Sequence, residues 1–135
     1  MVTFKRAYGD FGEDLACQVL KKNKYKILTR NFSDKDGEID IIAIETKASR
    51  KRSEDYDKMS DMIKNEDVLV FVEVKARHST LYGEPFEAVD KPKQARYYTL
   101  ANRYIAKNNL SDYQYRFDII EILENQVVNH YKNAF

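Results

Sequence analysis

The chain of 135 residues carries 23 basic and 22 acidic side chains, a formal net charge of +1. Its 43% hydrophobic and 33% charged content is that of a folded globular protein and excludes a disordered one. A single cysteine excludes an internal disulfide or a cysteine-rich zinc site, and no apolar run is long enough to span a membrane. We expect one domain, residues 1–135, in the cytoplasm, because the N-terminus also lacks an apolar signal core.

The first predicted element is a helix over residues 3–22, where apolar residues recur at helical spacing. They are Phe4, Tyr8, Phe11, Leu15 and Val19. A second line of the same helix has small residues that would allow close approach to another element, with Glu13 at its border. This line comprises Gly9, Gly12, Ala16 and Leu20. Cys17 lies within the helical pattern and is predicted to be a small buried residue.

Two strands are predicted next, over residues 25–31 and 38–45, joined by a turn at Ser33–Gly37. The second is apolar on both faces, which indicates a central position, yet it contains Asp40. Residues 46–66 mix charged, serine and methionine residues without a period. We interpret them as an inserted loop with a short helical piece, between two strands that would otherwise form a hairpin.

A third strand is predicted over residues 68–77, where Glu73 and Lys75 share one face roughly 7 Å apart. A loop at His78–Pro85 leads to a second long helix over residues 91–108. Strands over 115–123 and 127–131, separated by a turn, complete the chain. The order α-β-β-β-α-β-β predicts an α/β fold with a mixed sheet.

Four charged residues on these elements are candidates for chemistry, namely Glu13, Asp40, Glu73 and Lys75. Burying an ionised group costs several kcal/mol unless it is paired or holds a metal. Carboxylates are ligands of Mg²⁺, and a lysine beside the metal can orient or deprotonate a water. Each residue also has an ordinary alternative: a Glu73–Lys75 salt bridge, a turn partner at Asp40, and a helix-surface acid at Glu13.

Charge along the chain is uneven despite the small net value. Twelve of the 22 acids fall between Asp34 and Glu73, and basic residues flank this segment on both sides. A basic rim around an acidic centre suits a site that holds a cation and approaches phosphates. Ordinary solvated lysines are the alternative explanation.

The helix glutamate, the Gly37-Glu38-Ile39-Asp40 segment and the strand with Glu73 and Lys75 together resemble the PD-(D/E)xK nuclease superfamily. That superfamily includes restriction endonucleases and archaeal Holliday junction resolvases. More narrowly, the chain resembles the YraN-like family, bacterial proteins of uncharacterised function. The similarity runs nearly end to end and takes in Gly9, Gly12-Glu13, Ala16, Arg30-Asn31, Pro85, Lys93-Gln94, Ala101, Arg116-Phe117-Asp118 and Asn133-Ala134-Phe135.

The resemblance implies a restriction endonuclease-like core and a nuclease that uses Mg²⁺ or Mn²⁺. Asp40 and Glu73 would bind the metal, Glu13 would complete the acidic site, and Lys75 would position or activate the attacking water. The proline that usually precedes the metal-binding aspartate is replaced by Ile39.

Further residues have weaker assignments. Glu38 would support the site, or pair with Arg30 or Lys75, and Gln94 matches a position that contacts the site in some branches. Candidates to meet DNA phosphates are Arg77, Lys93 and Arg96, with solvated roles as the alternative. The remaining histidines and helix tyrosines are expected on the surface or in the core, with base stacking by the tyrosines as the alternative; they are His78, His130, Tyr97, Tyr98 and Tyr104.

The expected partner is DNA, with branched DNA as one candidate substrate, and a homodimer would suit cutting of two strands. A second hypothesis is a nuclease fold that binds DNA or assembles with proteins without turnover. A third is a structural protein in which the Glu73–Lys75 pair only stabilises the fold.

Overall fold

The computed structural model describes residues 4–51, 67–77 and 89–135. The predicted order of helices and strands is confirmed, and the helical piece predicted after the second strand is a short helix, α2. The elements are α1 (Phe4–Lys22), β1 (Lys26–Asp34), β2 (Gly37–Glu45), α2 (Lys47–Lys51), β3 (Val68–Arg77), α3 (Lys91–Lys107), β4 (Gln114–Leu123) and β5 (Gln126–Tyr131).

Some predictions fall outside the described residues. They concern residues 52–66 of the insertion, the loop at His78–Pro85, the packing at Gly9, and the side chains of Phe4, Tyr8 and Arg77.

The described strands form one mixed sheet in the order β1-β2-β3-β4-β5. Strands β3 and β4 pair in parallel, and the other neighbours pair antiparallel. Parallel neighbours need a crossover connection, and the segment between β3 and β4 contains α3, as this geometry requires. The predicted α/β class is confirmed. No helix in the described ranges is long and apolar enough to cross a membrane.

The two long helices cover opposite faces of the sheet. On the α1 side, Ala16 and Leu20 pack in one core cluster with Val70 and Val72 of β3. On the α3 side, a second cluster is formed by Tyr97, Leu100, Tyr104, Phe71 and Phe117. Because both faces of β3 are covered, the strand is apolar on both faces until it reaches Glu73.

Helix α1 approaches the sheet most closely at Gly12 and Ala16. A Cβ atom at Gly12 would lie 3.0 Å from Ala76 Cβ and 3.4 Å from Ile122 Cδ1. Ala16 is fully buried, whereas Phe11 is 48% exposed. The predicted close approach of the helix is therefore confirmed at Gly12. Burial of Cys17 is also confirmed, and it raises the pKa of the thiol.

Replacing Gly12 with valine should test this contact. The added side chain meets Ala76 and Ile122, so we expect the free energy of unfolding to fall by about 1–3 kcal/mol. Gln18→Val, at an exposed position of the same helix, is the matched control for the helix propensity of valine. Urea denaturation of both variants provides the measurement, and equal stability of the two would contradict the proposed close contact.

A buried network of charged groups joins three strands on the α1 side of the sheet. Arg116 Nη2 donates to Glu45 Oε2 at 2.8 Å, and Arg116 Nε donates to Asp118 Oδ1 at 2.9 Å. The Tyr25 hydroxyl also donates to Glu45, and His130 Nε2 lies 2.7 Å from Asp118 Oδ2. His130 is therefore a satisfied, partly buried residue, one of the two alternatives predicted for it.

Hydrogen bonding outweighs burial in this network. Burial alone would raise the pKa of Asp118, but bonds from His130 and Arg116 hold it below its usual value. The pKa of Glu45 is likewise lowered, because the Arg116 contact outweighs its burial. These carboxylates are ionised partners of one arginine, so their role here is structural.

The variant Arg116→Met should lose about 3–5 kcal/mol of stability, because it removes the cation that two buried carboxylates share. Glu45 then keeps Lys132 at 3.4 Å and Asp118 keeps His130. Arg103→Met is the matched control, since Arg103 also contacts two carboxylates, Asp34 and Asp36, but at an exposed site. Chemical denaturation at pH 7 should show a far smaller effect for the control. Similar losses in both variants would argue against a special role of the buried network.

Candidate metal centre

Strand β2 loses regular pairing on both sides at Asp40. Its register with β1 runs through Arg30–Ile41 and Phe32–Ile39 but skips the position of Asn31 and Asp40. Its register with β3 runs from Glu45–Val68 to Ile41–Val72 and ends there. Asp40 therefore lies where the central strand separates from its neighbour.

The unpaired position on the β1 side is Asn31, which has an unusual backbone. A separate register shift lies earlier in β1, between Ile27 and Thr29. The φ of Asn31, 56°, is in the left-handed region, which asparagine tolerates better than most residues. Arg30 then reaches Asp14 on α1, while Phe32 packs edge-on against Tyr104 on α3. Residues two apart in a regular strand share a face, so the kink at Asn31 reverses the alternation of the strand.

The Asp40 side chain connects the separating strand to β3. Asp40 Oδ2 accepts a hydrogen bond from the backbone N–H of Val74 at 2.8 Å. Val74 lies beyond the last paired residue of β3 in the β2–β3 ladder, Val72. The carboxylate therefore satisfies a backbone donor that β2 no longer pairs with, and this bond holds Asp40 beside the Glu73 segment.

Three carboxylates converge at this point. Glu13 on α1 and Glu38 and Asp40 on β2 each offer an oxygen within 4.8 Å of the other two. Glu13 is only 9% exposed, although an exposed helix acid was one alternative for it. The sequence predicted Asp40, Glu73 and Glu13 as ligands and gave Glu38 a supporting role. In the structure Glu38 joins Glu13 and Asp40, and Glu73 lies outside this group of three. The three oxygens are close enough to share one cation.

Burial and the nearby carboxylates raise the pKa of Asp40. Burial is the largest cause, and the negative charge of Glu73 is the next, so that the pKa of Asp40 rises to about 8. Glu13 and Glu38 add smaller effects in the same direction, and the hydrogen bond from Val74 opposes them. A cation bound among these groups would favour the ionised form.

Glu73 lies on the α3 side of the site, in contact with two lysines. It is 6% exposed, and its Oε1 atom is 2.8 Å from Lys93 Nζ and 3.1 Å from Lys75 Nζ. Burial opposes the charge of Lys93, but the bond to Glu73 outweighs it and raises the pKa of Lys93. The salt bridge predicted as an alternative for Glu73 and Lys75 is thus present, with Lys93 as a third member.

Comparison with known proteins identifies the family. The profile of the uncharacterised protein family UPF0102 matches residues 12–122. The chain belongs to the UPF0102 family. This family is YraN-like and lies within the restriction endonuclease-like nuclease superfamily, so the resemblance seen in the sequence is confirmed.

Curated UPF0102 proteins are similar over nearly the whole chain. One from Caldanaerobacter subterraneus subsp. tengcongensis is 43% identical over 137 residues, covering 97% of this chain and 96% of the relative. One from Clostridium acetobutylicum is 41% identical, covering 94% and 84%. One from Clostridioides difficile is 40% identical, covering 94% and 95%. Their names give the family and no activity.

The remaining predicted site residues of this UPF0102 protein are Gln94, Arg96 and Arg77. Gln94 Nε2 donates to the backbone oxygen of Val89 at 3.0 Å, next to the start of α3. Arg96 is exposed on α3, and Arg77 is the last residue of β3, paired with Leu123. The described side chains therefore give Gln94 a role in holding the segment before α3.

Two residues near the centre were not singled out in the sequence. Asn31 is part of the family resemblance, but no role was predicted for it. The signal in the sequence is that asparagine tolerates a left-handed backbone better than most residues. Glu121 is 3% exposed and lies in register with Lys75 on the neighbouring strand. Its Oε2 atom accepts bonds from Asn129 Nδ2 at 3.0 Å and from the Tyr131 hydroxyl at 3.2 Å. Its position follows from the parallel register of β3 and β4.

The variant Asp40→Asn should change how the stability of this UPF0102 protein depends on pH. The folded pKa of Asp40, about 8, lies above the usual unfolded value of about 4, so the folded state binds this proton more tightly. Its contribution to stability is therefore present below about pH 4 and lost as the pH rises to about 8. The asparagine keeps an oxygen for the Val74 N–H and has no such proton.

We expect the stability of Asp40→Asn relative to the parent to increase between pH 5 and pH 8.5, by an amount on the order of a few kcal/mol. Urea denaturation in the presence of EDTA measures the difference without metal. Parallel stability profiles of the two proteins over this range would contradict the raised pKa of Asp40.

Proposed function

We propose that this protein is a metal-dependent nuclease that hydrolyses DNA phosphodiester bonds. The observation that carries the proposal is the joint position of two groups of residues. Glu13, Glu38 and Asp40 form a carboxylate cluster, and the Glu73–Lys75 pair lies directly beside Asp40 on the next strand. Carboxylates with an adjacent lysine are the components needed to hold a divalent cation and a water next to a phosphate.

The residues fit a hard divalent cation. All the donors are carboxylate oxygens, the ligands that Mg²⁺ and Mn²⁺ prefer. Burial is the main cause of the raised pKa of Asp40, about 8, and the negative charges of Glu73, Glu13 and Glu38 add to it. Asp40 and Glu13 would hold the ion, with Glu38 or Glu73 as a further ligand. When bound, Mg²⁺ would neutralise charge that builds on the phosphate oxygens and the leaving group.

Lys75 is the residue suited to handle the water or the phosphate. Its Nζ atom is fixed by Glu73 Oε1 at 3.1 Å, and its side chain keeps 26% of its surface accessible. An ammonium held in this way has further N–H donors that can orient a water or a phosphate oxygen. Lys93 supplies a second positive charge at the same carboxylate. Glu73 therefore aligns two cations beside the proposed metal site.

Helix α3 supports an approach of the DNA backbone to this site. It contains five basic residues and no acidic residue: Lys91, Lys93, Arg96, Arg103 and Lys107. Lys91 and Arg96 are exposed near the end of the helix that contacts Glu73. Phosphate contacts of this kind bring DNA to a site without reading its sequence.

A second candidate function is DNA binding or protein assembly without turnover. It is favoured by the two lysines that already neutralise Glu73, since a carboxylate engaged in this way can serve the fold alone. It differs from the first candidate in its need for metal. Calorimetric titration with Mg²⁺ or Mn²⁺, with and without DNA, separates the two.

A cleavage assay tests the nuclease proposal. The purified protein should cut linear duplex, single-stranded or four-way junction DNA when Mg²⁺ or Mn²⁺ is present. Asp40→Asn and Lys75→Met should each lower the rate by at least about 100-fold, since each removes a group needed for the metal or for charge stabilisation. Asp112→Asn, at an exposed position after α3, is the control and should keep the parent rate.

Cleavage that survives Asp40→Asn would point to a contaminating nuclease and contradict the assignment. A protein that binds metal and DNA but cuts none of the three substrates would favour the second candidate. Absence of metal binding, even with DNA, would remove the basis of the nuclease proposal.

A further inference from the structure

Asn31 has an unusual backbone for its place in the chain. Among the described residues, the other non-glycine positions with positive φ lie next to helix ends or in turns; they are Lys24, Asn109, Glu124, Asn125 and Asn133. Asn31 instead lies within a strand, β1, at the position that the β1–β2 register skips. A left-handed residue inside a strand interrupts regular pairing, so a local requirement must stabilise it.

The side chain of Asn31 identifies that requirement. One end of its amide lies 2.9 and 3.2 Å from the two carboxylate oxygens of Glu13 and 3.1 Å from Glu38 Oε1. Only acceptors face this end of the amide, so the nitrogen, with its two N–H donors, belongs there. One side chain therefore holds two carboxylates from different elements, α1 and β2.

A neutral donor is suited to this position in a way that a cation is not. Arg30, the preceding residue, lies 3.7 Å from Glu13 Oε2 but makes its close contact with Asp14, at 2.8 Å. A cation bound tightly to both Glu13 and Glu38 would compete with a metal ion for their charge. The Asn31 amide offsets part of the repulsion between these carboxylates and leaves their charge available to a metal.

We infer that Asn31 is a positioning residue that sets the geometry of the metal site. Its left-handed backbone produces the kink opposite Asp40, and its amide holds Glu13 and Glu38 at a fixed separation beside Asp40. The inference rests on the proposed function in one respect, since it takes this carboxylate cluster as the metal site. Metal-binding carboxylates are commonly hydrogen-bonded by neighbouring groups, and loss of such a partner weakens metal binding about 10- to 100-fold.

A glycine substitution separates the amide from the backbone. Asn31→Gly keeps access to the left-handed conformation but removes the two donors. Asn109→Gly is the matched control, because Asn109 has a φ of 57° at an exposed position after α3, away from the carboxylates. Titration calorimetry of the full chain with Mn²⁺ alone measures affinity, and thermal unfolding in EDTA measures the fold.

We expect Asn31→Gly to bind Mn²⁺ about 10- to 100-fold more weakly than the parent, with a similar unfolding temperature in EDTA. The control should bind as the parent does. In the cleavage assay, high Mn²⁺ should restore the maximal rate of Asn31→Gly, because only the metal affinity is impaired. Asn31→Ala removes the same amide but is strained at this φ, so it should lose the same affinity and also unfold at a lower temperature in EDTA than Asn31→Gly.

The outcomes distinguish this inference from the proposed function. Equal Mn²⁺ affinity of Asn31→Gly and the parent overturns the inference and leaves the nuclease proposal standing. A weakened variant supports it even if the parent cuts no DNA, in which case only the nuclease activity fails. A parent protein that binds no Mn²⁺, either alone or with DNA present, overturns both.

Discussion

The hydrogen bond from the Val74 N–H to Asp40 Oδ2 is the interaction on which the candidate site depends. The middle of the sheet is covered on both faces, so a backbone donor at the point where β2 separates from β3 needs a partner within the protein. Asp40 provides that partner with its side chain in place of a backbone carbonyl. The strands can therefore part without an unsatisfied donor, and the carboxylate remains in the opening between them. Glu13, on helix α1, and Glu73, on the neighbouring strand β3, converge on this opening.

The pKa values of buried carboxylates are shifted in opposite directions at two places in the sheet. Asp118 and Glu45 share Arg116, and their pKa values lie below the usual range because this arginine and other donors compensate for burial. Asp40 has more burial and negative charge around it than its single backbone donor offsets, and its pKa is raised. The first arrangement is complete without any added group. The second has negative charge in excess, which is typical of a functional site rather than a structural one.

Much of the fold follows from periodicity within single segments of the chain. Helical spacing and apolar strands predicted the order of the elements. Charged residues in otherwise apolar strands identified Asp40 and Glu73 as candidate site residues. Contacts between distant segments could not be obtained in this way. Arg116 and Glu45 are 71 positions apart, and they meet because β3 pairs with both β2 and β4. The kink at Asn31 could not be predicted from the hydrophobic pattern. It changes which face of the sheet the side chains of β1 point to, and it does so within two residues. The apolar spacing of α1 predicted the helix, but it did not show that the closest approach to the sheet is at Gly12, while Phe11 is exposed.

The contact of Gly12 with the sheet has a consequence for the neighbouring residue. Because glycine has no side chain, the backbone of α1 contacts Ala76 directly, and the helix axis lies close to the strands. Glu13 follows Gly12 directly, so the reach of its carboxylate toward Asp40 is fixed by the distance of the helix from the strands. The absence of a Cβ atom at position 12 therefore sets the distance between α1 and the sheet, and this distance in turn helps to set the separation of the carboxylates in the acidic cluster.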